Sequence, residues 1–225
     1  MNAPTSLIEQ SRFNMVEQQI RPANVFDSAV LDAMLALPRE NFVPERYKNL
    51  AFSDIEIPLV INGIDTHETM LPPKIEARLA QELQLKPTDA ALEIGTGSGF
   101  QAALLSRLCA QVLSIEIDTH IAAFAKENLQ REKISNVNVE IGDGRTGWGS
   151  AEFNAILVTG SLPSIPDSLK YQLAIGGRLV AVVGQAPAMT AVRITRTTAA
   201  SFETESLFET CIKPLSGTTV SHFKF

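Results

Sequence analysis

The sequence predicts an α/β fold with a mainly parallel, doubly wound sheet, an antiparallel hairpin at the sheet's C-terminal edge and an N-terminal helical extension. Three observations support this. Short apolar runs alternate with helical patterns from residue 90 to residue 184, which is typical of a parallel sheet with helices on both faces. A turn containing Gly95, Gly97 and Gly99 follows the first run. Two β-like runs after residue 184 have no helical pattern between them, which favours an antiparallel pair.

The N-terminal third predicts helices followed by irregular structure. Residues 8–37 have apolar side chains at helical spacing, interrupted at Pro22, because proline ends or kinks a helix. Asp27 is the expected cap of the second helix. Residues 38–73 contain several prolines and little periodicity apart from IEIPLVI at 55–61, which could be one strand. We interpret this stretch as a lid or connector.

The later elements are short strands, most of them separated by helices. The predicted helices are at 73–83, 99–109, 119–131 and 166–173. The predicted strands are ALEIG, VLSIEI, VNVEI, NAILVTG and RLVAVVG, and then TAVRITRT and FETESLFETCIKPL at the edge. Proline at position 73 suits the first turn of a helix.

Length and composition predict one globular domain. The chain has 225 residues, of which 45% are hydrophobic, enough for a substantial core. We divide it into an N-terminal helical and lid region (1–73), a cofactor-binding α/β core (74–184) and a C-terminal β region (185–225). A formal net charge of −6 argues against nucleic acid or an anionic membrane as a main partner.

The cysteines and the N-terminus indicate a location in the cell. Cys109 and Cys211 form no CxxC pair, so we expect free thiols in a reducing compartment. The N-terminus lacks the apolar centre of a signal peptide, and no run approaches the ~20 apolar residues of a membrane span. We expect a soluble, cytoplasmic protein. No metal-ligand spacing occurs, so no metal site is predicted.

The glycine-rich turn suits an adenosyl ligand. Its spacing is GxGxG, with Phe100 where a dinucleotide fingerprint has its third glycine, and no P-loop lysine follows. Glu116 ends the next strand, where a carboxylate can accept both ribose hydroxyl protons. Asp143 lies in a GDG turn after the third strand and could meet an adenine amino group. Together, the glycine-rich turn, Glu116 and Asp143 predict a binding site for a ligand with an adenosyl group but no pyrophosphate.

The motifs resemble those of a known family. The segments LEIGTGSGFQAALL, SIEI, GDG, NAILVTGSLPSIPDSL and GGRLVAVVG, with MVEQQIRP and ALPRENFVPE upstream, are similar to successive motifs of the class I S-adenosylmethionine methyltransferases, specifically the protein-L-isoaspartate O-methyltransferases. The resemblance runs from about residue 12 to about residue 215. It implies a Rossmann-like fold, S-adenosylmethionine as cofactor, and methylation of isoaspartyl carboxylates in proteins or peptides for their repair.

The resemblance also implies site residues. The cofactor-binding candidates are Glu93, Gly95, Thr96, Gly97, Glu116, Asp143 and Gly144. The resemblance assigns the methionine part of the cofactor to residues 95–97, the ribose to Glu116, and the adenine to Asp143 with Gly144.

The acceptor side departs from the family. The family's acceptor-side signature reads roughly GQTISQP, and its serine is usually assigned to catalysis. This chain reads DTHETMLPP at 65–73 instead. Leu71 falls at the serine's position, and Thr69 is in register with the threonine. The catalytic candidates are therefore Thr69 and the altered position Leu71. Thr66 and His67 are further residues that could replace the missing serine hydroxyl. An isoaspartyl carboxylate is ionised at pH 7 with a pKa near ~3.9, so the change permits either weakened repair or a changed substrate.

Several alternatives remain open at this point. A divergent methyltransferase would use a different, small acceptor, and a non-catalytic module would bind the cofactor and transfer nothing. A Rossmann-type oxidoreductase would bind nicotinamide, against which Phe100 counts. Phe100 and Trp148 would either stack on adenine or serve packing. The charged residues Arg39, Glu40, Asp54 and Glu56 are expected in ion pairs or helix-end contacts rather than in catalysis.

Overall fold

The structure, a computed structural model, describes residues 6–218. Its α-helices are α1 (Leu7–Met15), α2 (Ser28–Ala36), α3 (Pro73–Glu82), α4 (Phe100–Ser106), α5 (Thr119–Arg131) and α6 (Asp167–Tyr171). A π-helical turn (Val16–Ile20) and a 3-10 turn (Arg21–Ala23) follow α1, and two more 3-10 helices span Arg39–Asn41 and Glu45–Leu50. Its strands are β1 (Ile57–Ile61), β2 (Ile64–Met70), β3 (Ala90–Ile94), β4 (Gln111–Glu116), β5 (Val137–Ile141), β6 (Phe153–Val158), β7 (Leu173–Gln185), β8 (Ala188–Arg196) and β9 (Phe202–Glu209).

Seven strands form the main sheet, in the order β5-β4-β3-β6-β7-β8-β9. The five strands from β5 to β7 pair in parallel, and β8 and β9 continue the sheet antiparallel. This confirms the predicted Rossmann-like class, including the antiparallel C-terminal edge. Because β3, β4, β5 and β6 are parallel, their carboxyl ends meet at one edge of the sheet, where ligands bind in open α/β folds.

The core lies on both faces of this sheet. Ala155 and Leu157 of β6 belong to one apolar cluster, which joins the sheet to α1–α5. Ile156 and Val158 belong to a second cluster, which includes Leu169 of α6. The alternation follows from the two-residue period of a strand, and burial on both faces explains why β6 reads as a continuous apolar run.

The N-terminal region confirms the predicted helices and adds a hairpin. The Asp27 side chain caps α2 by accepting from the N–H groups of Ala29 and Val30, at 2.8 and 3.4 Å. The run at 55–61 forms β1, as predicted, and pairs antiparallel with β2 in a separate two-stranded sheet. The sequence analysis missed β2 because most of its residues are exposed or half-buried, so it lacks the apolar alternation of a core-facing strand. Within residues 6–218, no helix is both long and apolar enough to cross a bilayer.

Arg39 joins this region to the main body. It is completely buried, and its Nε donates to Glu76 Oε2 of α3 at 3.1 Å. Its two other nitrogens donate to the carbonyls of Ala51 and Leu71, each at 2.7 Å. Burial raises the pKa of Glu76 to about 7, against the opposing effect of the Arg39 charge.

Two other charged residues of this region also form the expected contacts. Glu40 pairs with Arg12 at 2.6 Å, and Asp54 pairs with Lys74 at 2.5 Å. Arg39, Glu40 and Asp54 thus form the expected ion pairs, whereas Glu56 accepts a hydrogen bond from the Thr69 hydroxyl instead.

Replacing Arg39 tests how much this joint stabilises the fold. Arg39→Met leaves a buried carboxyl and two carbonyls without their donor, so we expect the free energy of unfolding to fall by about 3–5 kcal/mol. Urea denaturation followed by circular dichroism measures it. The matched control is Arg107→Met at an exposed position, which should change stability by less than about 0.5 kcal/mol. Equal stability of the two variants would contradict a joint at Arg39.

Candidate active site

A cleft of about 360 Å³ opens at the carboxyl ends of β3, β4, β5 and β6. Its volume lies in the range of small-molecule sites. The sheet side of the wall comes from Gly95, Gly97, Glu116, Asp143, Gly144 and Thr159. The opposite side comes from the β1–β2 hairpin, through Leu59, Thr66, Glu68, Thr69 and Leu71, and from residues 213–216. Two separate parts of the chain therefore cover the strand ends.

The glycine-rich turn requires glycine for two different reasons. Gly95 has φ +94°, and a Cβ there would lie 2.3 Å from Thr159 Oγ1, whose hydroxyl donates to the Gly95 carbonyl at 2.5 Å. Gly97 has φ +55°, a left-handed conformation that side chains rarely adopt. Its N–H donates to Glu116 Oε2 at 3.0 Å. The turn is thus held at the cleft wall, with its backbone close to any ligand.

Glu116 is the last residue of β4 and lines the cleft at 6% exposure. Its carboxylate accepts from the N–H groups of Gly97 and, at 3.1 Å, Asp118. Burial raises the pKa of Glu116, and these backbone donors oppose the shift. Since a carboxylate has about four acceptor positions, the Glu116 carboxylate can still accept from a hydroxyl group of a ligand.

Asp143 and Gly144 line the same cleft after β5. The Arg145 guanidinium holds both Asp143 oxygens, with Nη2 at 2.7 Å from Oδ2 and Nε at 2.9 Å from Oδ1. These hydrogen bonds lower the pKa of Asp143. The Asp143 carboxylate is therefore fixed in its ionised form at the cleft edge.

Glu93 and Thr96 lie behind the cleft wall rather than on it. Glu93 is fully buried and accepts the hydroxyl proton of Ser114, whose oxygen is 2.6 Å from Thr96 Oγ1. Its other oxygen has no hydrogen-bond partner within the described part of the chain. Burial raises the pKa of Glu93 to about 8. The two residues support the glycine-rich turn from beneath.

The hairpin brings the acceptor-side candidates into the cleft. Thr69 and Leu71 both line it, with the Thr69 hydroxyl donating to Glu56 at 3.2 Å. The Leu71 side chain is apolar and 9% exposed. Thr66 also lines the cleft and donates to the Leu59 carbonyl at 2.8 Å. The His67 side chain is 85% exposed and lies outside the wall.

The two aromatic candidates serve packing. Phe100 is fully buried and meets Phe42 edge to face, with ring centroids 5.4 Å apart. Trp148 donates from Nε1 to Glu140 at 2.6 Å, and its ring covers Gly142 so closely that a Cβ there would lie 2.1 Å away. Neither ring lies on the cleft wall, which favours the packing alternative for both.

Sequence reasoning missed two parts of the wall. Thr159 and Gly160 directly follow the buried run of β6, so their place at a strand's carboxyl end could have been inferred. Residues 213–215 belong to the predicted β run FETESLFETCIKPL, but β9 ends at Glu209, and residues 213–216 line the cleft instead. They are held by the post-β6 loop, through Ser161 N–H to the Lys213 carbonyl at 2.9 Å, and by Glu68 of the hairpin, which pairs with Lys213 at 2.9 Å.

Comparisons with known proteins agree with this geometry. The sequence model described as Protein-L-isoaspartate(D-aspartate) O-methyltransferase matches residues 10–219. A Protein-L-isoaspartate O-methyltransferase of Protochlamydia amoebophila is 42% identical over 205 residues, covering 90% of this chain and 95% of the relative. The Protein-L-isoaspartate O-methyltransferase 2 of Marinobacter nauticus is 38% identical over 219 residues, covering 96% and 98%.

Solved structures show the same fold. A protein-L-isoaspartate O-methyltransferase structure superposes with a TM-score of 0.79 at 26% identity, covering 92% of this chain and 66% of the other. A structure from Plasmodium falciparum, in complex with S-adenosyl-L-homocysteine, gives a TM-score of 0.76 at 21% identity, covering 91% and 98%. The fold, the cleft and the family match together show that this chain belongs to the protein-L-isoaspartate O-methyltransferase family.

Proposed function

We propose that the protein is an S-adenosylmethionine-dependent methyltransferase that esterifies isoaspartyl carboxylates in proteins and peptides. The observation that carries the proposal is the cleft at the strand ends, in a chain of this family, lined by the glycine-rich turn, Glu116 and Asp143. The residues fit the cofactor: the turn leaves no side chain at Gly97, where the atom nearest to a Cβ would be 4.0 Å away, and Glu116 keeps free acceptor positions.

Each part of the cofactor has a proposed partner. Gly95 and Gly97 face its methionine part, Glu116 accepts from the ribose hydroxyls, and Asp143 with Gly144 borders the adenine. Glu93 and Thr96 hold the turn in place from behind. When bound, S-adenosylmethionine supplies an electrophilic methyl group on a sulfonium.

The chain's own task is to align the acceptor. An isoaspartyl carboxylate, with a pKa near ~3.9, is already a nucleophile at neutral pH and needs no general base. Holding it in line with the methyl group can lower the barrier by ~7–11 kcal/mol. Thr69 lies on the acceptor side of the cleft with its hydroxyl directed to Glu56, and the apolar Leu71 offers no donor.

The direct test compares two peptides that differ only in one aspartyl linkage. With radiolabelled S-adenosylmethionine, we expect base-labile methyl ester on the isoaspartyl peptide and none above background on the aspartyl peptide. A relative with the serine intact serves as the assay control. Equal labelling of both peptides would contradict the proposed acceptor.

The missing serine motivates two other candidate functions. In a cofactor-binding module, Leu71 would block transfer, and the same assay would find tight S-adenosylhomocysteine binding without labelling of any acceptor. In a divergent methyltransferase, small carboxylic acids would be labelled in place of the isoaspartyl peptide.

Glu116→Gln tests the ribose contact. The amide keeps the shape but loses the charged acceptor, so we expect the Kd for S-adenosylhomocysteine to rise about tenfold to a hundredfold. Isothermal titration calorimetry measures it. Glu127→Gln, at an exposed position of α5, is the matched control and should bind like the wild type. A change of less than about twofold in Glu116→Gln would remove Glu116 from the cofactor site.

Glu93→Gln tests the buried carboxyl through the pH dependence of stability. The ordinary pKa is 4.5 and the folded pKa is about 8, so between these values the folded protein binds more protons than the unfolded chain. Stability contributed by Glu93 is therefore present at low pH and lost as pH rises, by about 1.4 kcal/mol per pH unit.

Because glutamine cannot ionise, Glu93→Gln should gain stability relative to the wild type between about pH 5 and about pH 8. Urea denaturation at each pH measures this difference. Glu76, with its folded pKa of about 7, titrates in both proteins, so only its charge effect on Glu93 enters the difference. A difference that stays constant with pH would show that Glu93 is ionised in the folded protein.

We also propose a cytoplasmic location. The support is that Cys109, which is buried, and Cys211, which is exposed, are both free thiols, and free thiols persist in reducing compartments.

A further inference from the structure

The mouth of the cleft, formed by the β1–β2 hairpin and residues 213–216, contains a carboxylate that the proposed mechanism does not use. Glu68 of β2 lines the cleft and is held by two donors of residues 213–216. Its Oε1 accepts from Ser216 Oγ at 2.7 Å, and its Oε2 is 2.9 Å from Lys213 Nζ. Lys213 also donates to the His67 carbonyl. A carboxylate side chain of the hairpin is therefore bound by an ammonium and a hydroxyl inside the acceptor side of the cleft.

The charges of the cleft make this arrangement unusual. The described residues of its wall include the acids Glu68, Glu116, Asp118 and Asp143, but only Arg145 and Lys213 as cations. A positive side chain near the carboxylate of an anionic acceptor favours its entry into such a cleft.

Of the two cations, Arg145 lies on the adenine side of the cleft. It binds both oxygens of Asp143 on the adenine side and also donates to the Gly217 carbonyl. Lys213 lies beside the hairpin, and its side chain is 40% exposed, so a ligand can reach it. It is the cation available on the acceptor side.

We propose that Lys213 and Ser216 bind the acceptor's carboxylate, and that Glu68 occupies this site as an internal substitute when no acceptor is present. The proposal rests on the proposed function, since it assigns the acceptor site of the same reaction. An isoaspartyl carboxylate and the Glu68 carboxylate are the same chemical group, so donors that hold one can hold the other.

The exchange of the Glu68 carboxylate for the acceptor carboxylate is balanced in charge. It also accounts for the missing serine hydroxyl. The incoming carboxylate replaces Glu68 on Lys213, so the ammonium is never left without an anion. The Glu68 side chain, already 29% exposed, turns to solvent and is hydrated. The hydroxyl that Leu71 lacks is supplied by Ser216, and the charge of Lys213 strengthens the contact, since charge-assisted hydrogen bonds are about twice as strong as neutral ones.

The test measures binding of a fluorescent isoaspartyl peptide to the protein saturated with S-adenosylhomocysteine, by fluorescence anisotropy. Lys213→Met should raise the peptide Kd by about tenfold, since it removes a charged donor. Glu68→Gln should lower the Kd by about threefold or more, because a neutral amide competes less well for the ammonium. In the double variant Glu68→Gln/Lys213→Met, the gain from Glu68→Gln should disappear.

The opposite signs separate this role from a purely structural ion pair. If the pair only closed the cleft, both single variants would weaken peptide binding, and the proposal would be overturned. It would equally be overturned if the double variant kept the full gain, or if neither the wild type nor Glu68→Gln bound the peptide. The matched control pair is Lys170→Met and Asp167→Asn, an ion pair of 2.7 Å on α6 outside the cleft wall, and both should leave the Kd unchanged.

Methyl transfer measured on the same variants keeps the two proposals apart. If peptide binding follows the expected pattern but no ester forms, the methyltransferase function fails and the carboxylate site stands. If ester forms with a KM that does not depend on Lys213, the function stands and the carboxylate site fails.

Discussion

The placement of the hairpin over the cleft depends on one buried cation. Arg39 holds the carbonyl of Ala51 before β1 and the carbonyl of Leu71 after β2, while Glu76 of α3 balances its charge. The Glu76 carbonyl in turn accepts from Gln101 of α4 at 3.4 Å. Because a buried guanidinium is tolerated only when its donors are satisfied, this arrangement disfavours other positions of the hairpin. Arg39, which does not line the cleft, thus fixes the position of the acceptor side of the cleft.

Three adjacent strands each carry a carboxyl group at or just after their carboxyl ends, and these three groups differ in burial and in hydrogen-bond partners. Glu93 of β3 is fully buried and favours its protonated form, while Asp143 after β5 is ionised beside Arg145. Glu116 of β4 lies between them, partly desolvated but supported by backbone N–H groups. Burial therefore distinguishes Glu93, which lies behind the wall, from Glu116 and Asp143, which face the cleft. In the sequence, all three appear alike as acids near strand ends.

The sequence predicts the sheet side of the site well and the mouth poorly. The apolar runs and the glycine-rich turn lie where strands must end, so the spacing of Gly95, Gly97, Glu116 and Asp143 along the chain is enough to place them together. The polar strand β2 gives no apolar signal. Residues 213–215 belong to a predicted β run, but they lie beyond the end of β9 and are held by tertiary contacts.

Two other predictions need the three-dimensional packing. The spacing of LEIGTG could not show that Glu93 and Thr96 point behind the wall, because neighbouring residues at a turn no longer alternate regularly. The division of the chain at residues 73 and 184 stays a prediction.

The hydrogen bond from Ser216 to Glu68 joins residues 148 positions apart, and the bond from Lys213 to His67 joins residues 146 apart. Contacts of such long sequence separation carry the largest loop-closure entropy and tend to form late in folding. The parallel pairing of β3 with β4, by contrast, joins residues only about twenty positions apart. The sheet and its glycine-rich turn can therefore be complete while the mouth is still open. The contacts that close the mouth over the strand ends are thus separate from those that build the sheet.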